Sequence, residues 1–244
     1  MSCHADEAKL VVGSKRFTES YILGEIVAQT ARPYAPVEHR PGMGNTAVVF
    51  EALKAGAIDV YPEYLGTLDA EILKHPKPTD IATMQRELAP LGLGVGVPLG
   101  FANGYALALR ADEAQRLQLK HISDLRGHPE LVLGLSHEFL GRADGWPGLA
   151  ARYGLPQRPL GIDHGIAYEA LAAGRIAATD IYSTDAKIAS LGLAVLDDDL
   201  HYFPRYDAVL LYRLDAAQRS PAAWRAIAGL EGRISPAKMI EMNG

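Results

Sequence analysis

A short apolar run ending on glycine, Lys9 to Gly13, is followed by a segment, Tyr21 to Ala31, whose apolar residues Ile22, Ile26 and Val27 recur at helical spacing. The pair repeats as Val37–Arg40 and Thr46–Ala55, and a third extended run opens at Val60. This β-α-β-α-β order constrains the fold more than any other feature. Short connections between such elements build a parallel sheet with helices on its faces. In open sheets of this kind ligands bind beyond the carboxyl ends of the strands. The loops after Gly13 and at Val60–Thr67 are therefore the first places to look for function.

Further along, residues 68–90 read as helical with a break at His75-Pro76-Lys77-Pro78, and Leu91 to Phe101 as a glycine-rich strand entry. Leu91-Gly92-Leu93-Gly94-Val95-Gly96 has the wrong spacing for a dinucleotide loop, and no helix follows it. Ala106–Arg110 is again strand. From about residue 111 the alternation restarts: a short helix at Ile122, a strand over Leu131–Leu135, and a loop over His137–Arg142. Helices at Trp146–Tyr153 and Gly165–Gly174 precede a strand over Ile176–Tyr182. Ser183-Thr184-Asp185 then cap another helix. A strand at Leu193–Leu196, an extended stretch over 203–212 and a final helix over Ser220–Leu230 complete the pattern.

The expected architecture is thus two α/β lobes. The first takes residues 1–107 and 208–244, the second 108–207, with extended crossings near 106–110 and 203–212. Two lobes joined in this way enclose a ligand cleft and can close by a hinge.

Composition removes several function classes. The net charge of -5 carries no basic block, which argues against a nucleic-acid partner. No apolar run approaches the length needed to span a bilayer. The sequence has no charged-then-apolar secretion leader, as would also hold for a trimmed chain. The single cysteine, Cys3, precludes an internal disulfide and reads either as the trace of a lipid-anchored cysteine or as a leftover thiol. The eight histidines are scattered, no metal-ligand spacing occurs, and no cofactor loop or nucleophile elbow is found. His164 beside Asp163 reads as a capping pair, and Ser136-His137-Glu138 are neighbours in sequence without triad geometry. No catalytic residue, metal or cofactor is expected.

What recurs is tyrosine where a strand gives way to a loop. The chain has 11 Tyr against 5 Phe and 2 Trp, a tilt toward rings with a polar handle. Tyr64, Tyr105, Tyr182 and Tyr206 all fall at expected strand–loop junctions, two in each half of the chain. Singly, each reads first as a core or interface ring. Four around one cleft would form an aromatic box for a quaternary ammonium group, at ~0.5–2 kcal/mol per ring. Lys15 follows the first strand and precedes a helix N-terminus, with Thr18 as its expected cap. It reads either as part of an anion site or as a solvated loop lysine. Arg142 offers a fork that suits a carboxylate.

Several stretches together are similar to one family. Gly13-Ser-Lys-Arg-Phe-Thr-Glu-Ser-Tyr-Ile-Leu-Gly-Glu25, Asp59-Val-Tyr-Pro-Glu-Tyr-Leu-Gly-Thr67 and Pro98-Leu-Gly-Phe-Ala-Asn-Gly-Tyr-Ala-Leu107 resemble the osmoprotectant (glycine betaine/choline/carnitine) substrate-binding proteins of ABC transporters. So do His137-Glu-Phe-Leu-Gly-Arg-Ala-Asp-Gly145, Gly161-Ile-Asp-His-Gly-Ile-Ala-Tyr-Glu-Ala170, Ile181-Tyr-Ser-Thr-Asp-Ala-Lys187 and Phe203-Pro-Arg-Tyr-Asp-Ala208. The resemblance runs in order along nearly the whole chain.

It implies a type II periplasmic-binding-protein fold without catalysis. The expected partners are a small quaternary ammonium ligand and the permease subunits of an ABC importer. The expected setting is the periplasm or the outer face of the cell membrane, and the expected state a monomer. By the same resemblance Lys15, Thr67 and Arg142 hold a ligand carboxylate, Tyr64, Tyr105, Tyr182 and Tyr206 form the cation cage, and Asn103 lines it. Tyr61 and Glu63 are left with packing and loop-fixing roles.

Gly104 departs from the family, which commonly has a β-branched or polar residue there, and so does Ser136, where an aspartate often stands. Family members also tend to continue past Asn243 with a last helix on the first lobe. The alternatives within transport are choline or a larger betaine, carnitine or ergothioneine, for which Gly104 leaves room. Outside it stand a sensory binding module, or an enzyme using His137, Glu138 or Asp163 as acid/base.

Overall fold

The structure, a computed structural model, describes residues 9–75, 77–142 and 144–244. Cys3, and with it the anchor expectation, lies outside the described residues, as does Pro76. In chain order the elements begin with β1 (Leu10–Gly13), α1 (Thr18–Ala31), β2 (Val37–Arg40), α2 (Thr46–Lys54), β3 (Val60–Tyr64) and α3 (Leu65–Thr67). The last runs into a π-helical turn at Leu68–Leu73, followed by α4 (Ile81–Leu88), β4 (Leu93–Gly96), β5 (Tyr105–Arg110) and α5 (Ala111–Leu117). Next come β6 (Gly134–Ser136), α6 (His137–Gly141), α7 (Trp146–Tyr153), β7 (Leu160–Ile162), α8 (His164–Ala172), β8 (Ala178–Tyr182), α9 (Lys187–Ser190) and β9 (Leu193–Val195). The chain closes with β10 (Ala208–Arg213), α10 (Leu214–Arg219), α11 (Pro221–Ala228) and α12 (Pro236–Asn243).

These elements form two compact units. One runs to Ala102 and resumes over Arg205–Asn243; the other is Asn103–Pro204. The first carries a five-stranded sheet in the order β2-β1-β3-β10-β4. Here β1 pairs parallel with β2 and β3, while β10 runs antiparallel to both β3 and β4. The second unit has β8-β5-β9, with β5 antiparallel to both neighbours, and a parallel β6-β7 pair. A parallel bridge from Leu133 to Ala178 joins the two sets. The resulting order, β7-β6-β8-β5-β9, repeats the plan of the first unit, with β5 in the place of β10.

Local sequence explains why the elements form where they do. Leu10 and Val12 of β1 are buried, and a side chain at Gly13 would run into Ile58, so the strand ends on glycine. The Asn45 side chain caps α2 by accepting the Val48 amide at 3.2 Å, and Val49 and Leu53, four apart, face inward. Asp80 does the same for α4 through the Thr83 amide at 2.7 Å, with Met84 and Leu88 buried. Those four residues join Ile58, Tyr61, Leu68, Leu93, Val95, Val209 and Leu211 in the core of the first unit. The second unit has smaller clusters, around Ala167, Ala170, Leu171 and Ile176, and around Ala108, Tyr168 and Ile181.

Four sequence expectations change. The units divide after Ala102, ahead of the expected 106–110 crossing, and after Pro204, within the expected 203–212 stretch. β5 is fully laddered to β8 and β9, and β10 to β3 and β4, so neither strand is free to be a crossing. Tyr105 therefore belongs to the second unit and Tyr206 to the first, the reverse of their expected lobes. Thr18 is the first residue of α1 and does not cap it; Phe17 holds the cap position without a side-chain bond. Ser20 instead turns back to accept the Lys15 amide at 2.8 Å. The stretch after Ser136 is not a loop but α6, because Ser136 Oγ accepts the Phe139 amide at 3.1 Å and caps one helical turn. Finally, Pro236–Asn243 is helical and packs against α1, a segment left without structure by the sequence reading.

Candidate functional site

The topological repeat places the tyrosines. Tyr64 ends β3 and pairs in register with Ala208 at the start of β10; Tyr182 ends β8 and pairs with Tyr105 at the start of β5. Tyr206 lies two residues before Ala208, and the Leu65 amide donates to the neighbouring Asp207 carbonyl at 3.1 Å. Each unit thus brings two tyrosines to one place: the carboxyl end of a parallel strand and the entry of its antiparallel neighbour. Tyr64, Tyr105 and Tyr206 are buried, and Tyr182 is half-buried.

In the first unit the loop after β1 delivers Lys15 to this corner. Its ammonium lies 5.3 Å from the Tyr64 ring centroid and 5.6 Å from that of Phe17. The same ammonium donates to Glu63 Oε1 at 2.6 Å and reaches Thr46 Oγ1 at 3.5 Å. Glu63 is fully buried and also accepts the Tyr64 amide at 3.1 Å. The Tyr64 hydroxyl donates to buried Glu19 in the first turn of α1, and Asn243 of α12 donates to the other Glu19 oxygen at 2.9 Å. Thr67 is buried one helical turn beyond Tyr64.

The second unit follows the same plan. Arg142 leaves the end of α6 and places its guanidinium carbon 5.2 Å from the Tyr105 ring centroid. Its fork is taken by Asp144, with Nε and Nη2 each donating at 2.7 Å, and Glu138 lies 3.5 Å away. Tyr105 stands 5.2 Å from Tyr182, 4.9 Å from Phe139 and 6.5 Å from Phe203, centroid to centroid. Asn103, at the entry to β5, accepts the Thr184 amide at 3.4 Å, and Gly104 exchanges bonds with Ser183. Behind Tyr182 lie His164, at 4.9 Å, and the buried Asp180, which accepts the Ser136 amide at 2.6 Å and its hydroxyl at 2.7 Å. Asp163 caps α8 through the Gly165 amide, as its sequence position suggests.

Burial, foremost, pushes the Tyr105 phenol well above its usual range, with the neighbouring Tyr182 adding to the rise. Burial likewise raises Tyr182, reinforced by the Glu138 charge, and raises Tyr61, reinforced by Glu63. These rings are neutral phenols at physiological pH, with π-faces and hydroxyls intact. Asp180 is raised by burial, against the lowering effect of its two bonds from Ser136. Among the described residues no cluster of His, Cys, Asp and Glu could hold a metal ion.

The structure brings Lys15 to Tyr64, and Arg142 to Tyr105 and Tyr182. It also adds partners that sequence reasoning missed. Glu63 had only a loop-fixing role by sequence, yet it is the counter-ion of Lys15, 48 positions away in the chain. Asp144, Glu19, Phe17 and Phe139 were not singled out. Asp144 had a usable signal, an arginine two residues before it ahead of a glycine. The contact between Glu19 and Tyr64 spans 45 positions and had none.

A chain of two α/β units on one repeated plan, with aromatic and charged side chains gathered at the carboxyl ends of their strands, is a substrate-binding protein of the type II periplasmic kind. More closely, it belongs to the OpuAC family, the substrate-binding domain of ABC-type glycine betaine transport systems, whose family model matches residues 8–244. It is 31% identical over 258 residues to a glycine-betaine-binding protein of Pseudomonas aeruginosa, covering 98% of this chain and 82% of the relative. It is 33% identical over 248 residues to an ergothioneine transport permease/ergothioneine binding protein of Helicobacter pylori. That match covers 98% of this chain but 44% of the relative, so the chain spans less than half the length of that protein. A solved structure described as a glycine betaine/carnitine/choline ABC transporter superposes with a TM-score of 0.78 at 25% identity, covering 96% of this chain and 90% of the other. The expected fold class and the family resemblance are both borne out.

Proposed function

We propose that this chain is the extracytoplasmic receptor of an ABC importer and binds a small quaternary ammonium compound of the glycine betaine type. Tyr64, Tyr105, Tyr182 and Tyr206, with Asn103, serve the cationic end; Lys15, Thr67 and Arg142 serve the carboxylate. The observation that carries this reading is the recurrence, in two units of the same topology, of a tyrosine pair at a strand terminus with a basic side chain beside it. A trimethylammonium group offers no hydrogen bond to grip, so ring faces are the chemistry that recognises it. On this reading the ligand passes to the permease of an ABC importer; among the described residues no helix is long and apolar enough to cross a membrane.

The test is mass spectrometry of small molecules that co-purify with the protein, followed by calorimetry with glycine betaine, choline, carnitine and ergothioneine. Saturable one-to-one binding of at least one is expected. Failure of all four to bind would sink the reading, and turnover of a bound compound would replace it with an enzymatic one. A second reading, a larger betaine, is favoured by the relative named for ergothioneine and by Gly104, which presents no side chain beside Tyr105. The same panel separates the two by rank order of affinity.

A further inference from the structure

The two basic groups assigned to the ligand carboxylate are not bare charges. Lys15 is only 8% exposed in its side chain and lies 2.6 Å from Glu63, which is wholly buried. Arg142, at 7%, is engaged through two nitrogens by Asp144, at 9%. In each unit a buried carboxylate therefore sits against the cation, and a second one stands nearby: Glu19 on the Tyr64 hydroxyl, Glu138 at 3.5 Å from Arg142. Glu63 Oε2 has no hydrogen-bond partner, so the carboxylate meets Lys15 and the Tyr64 amide through Oε1. At such separations in a poorly solvated setting, a neighbouring unit charge alters ligand binding by about tenfold or more.

We propose that Glu63 and Asp144 are specificity-determining residues of this site. Each offsets the positive charge that its unit offers a ligand's carboxylate while leaving the negative field felt by the ligand's cation. The pair sets the balance between carboxylate-bearing betaines and cations without a carboxylate, such as choline. This rests on the quaternary-ammonium reading above.

Asp144→Asn removes the counter-charge, keeps the shape and leaves a carbonyl oxygen that can still accept from Arg142. Glu63→Gln does the same for Lys15. Calorimetry with choline and glycine betaine on the wild-type protein and both variants gives the ratio of their affinities. In either variant the ratio is expected to move at least about tenfold toward glycine betaine. An unchanged ratio in a folded Asp144→Asn protein overturns the proposal. So does a shift toward choline, which would make Asp144 a mere support that holds Arg142 in place. If Glu63→Gln fails to fold by circular dichroism, Asp144→Asn decides alone. If the wild-type protein binds neither compound, nor carnitine or ergothioneine, the quaternary-ammonium reading falls and takes this inference with it. Binding with an unmoved ratio overturns the inference only.

Discussion

The ammonium of Lys15 lies 5.3 Å from the centroid of the Tyr64 ring, so one of the proposed cage rings already carries a cation of the protein itself. Arg142 stands in the same relation to Tyr105 at 5.2 Å. The groups proposed for the ligand's carboxylate and for its cation thus lie against each other within each unit. A betaine presents both ends on one short molecule, and this pairing of functions suits it. It also means that a change to either tyrosine disturbs a basic neighbour, and each experiment needs a control for that.

For Tyr64 the control is phenylalanine. Tyr64→Phe keeps the ring but takes one hydrogen-bond donor from buried Glu19. Loss of one hydrogen bond to a buried charged group is expected to cost about 1–3 kcal/mol of stability. Affinity for glycine betaine should fall by less than about threefold, since the π-face remains. Tyr64→Ala should weaken binding by about tenfold or more. Thermal unfolding and calorimetry check the two readouts, and equal losses of affinity in both variants would remove the ring from the site.

Tyr182 is the complementary case. Its ring lies 5.2 Å from that of Tyr105 and 4.9 Å from that of His164. Tyr182→Ala is expected to weaken glycine betaine binding by about tenfold or more, and Tyr182→Phe by much less, because ring-face attraction dominates. Equal and negligible effects in calorimetry would show that this ring packs and does not bind.

Much of this was legible in the sequence, and the limits have physical causes. Strand, glycine and helix alternate with local signals, so β1 to β3 and the helices between them are readable from spacing. The four tyrosines are readable because they sit at strand ends, and strand ends are local features too. Which unit owns Tyr105 and Tyr206 was not readable. That depends on β5 and β10 each inserting antiparallel between two strands distant in sequence. The counter-ions were hidden for the same reason: a lone Glu63 looks like any loop glutamate until β3 is laid beside β1. The stretch from His137 to Gly141 looked like a loop because five residues are too few to show helical periodicity.

Gly145 ties fold to site in the second unit. It sits between Arg142 and α7, and its amide donates to the Arg142 carbonyl at 3.1 Å. A β-carbon there would overlap the Phe139 carbonyl and press on the Arg142 β-carbon. Because the obstacle is backbone, it cannot rotate away. Gly145→Ala should therefore destabilise the protein by about 1–3 kcal/mol, the usual cost of overpacking. It should also shift Arg142 enough to lower glycine betaine affinity while sparing choline. A melting temperature and affinities equal to wild type would mean that the turn adjusts freely.

The segment beyond Thr67 makes stability depend on pH. After the π-helical turn, His75 is held between two carboxylates, Asp69 at 2.7 Å and Glu87 of α4 at 2.8 Å. Asp69 also takes the Thr79 amide at 2.8 Å and its hydroxyl at 2.7 Å, so one imidazole clasps the turn, the following loop and the next helix. The hydrogen bond to Asp69, joined by the charge of Glu87, raises the His75 pKa above its usual value of 6.5. A raised folded-state pKa stabilises the protein fully below the unfolded value, and that stabilisation disappears as pH climbs through the folded value. The melting temperature of wild type relative to His75→Gln should accordingly be greatest below pH 6.5 and shrink as pH rises above it. A constant difference between the two proteins over the whole range would mean that His75 does not change charge there, and the clasp would then be a matter of shape alone.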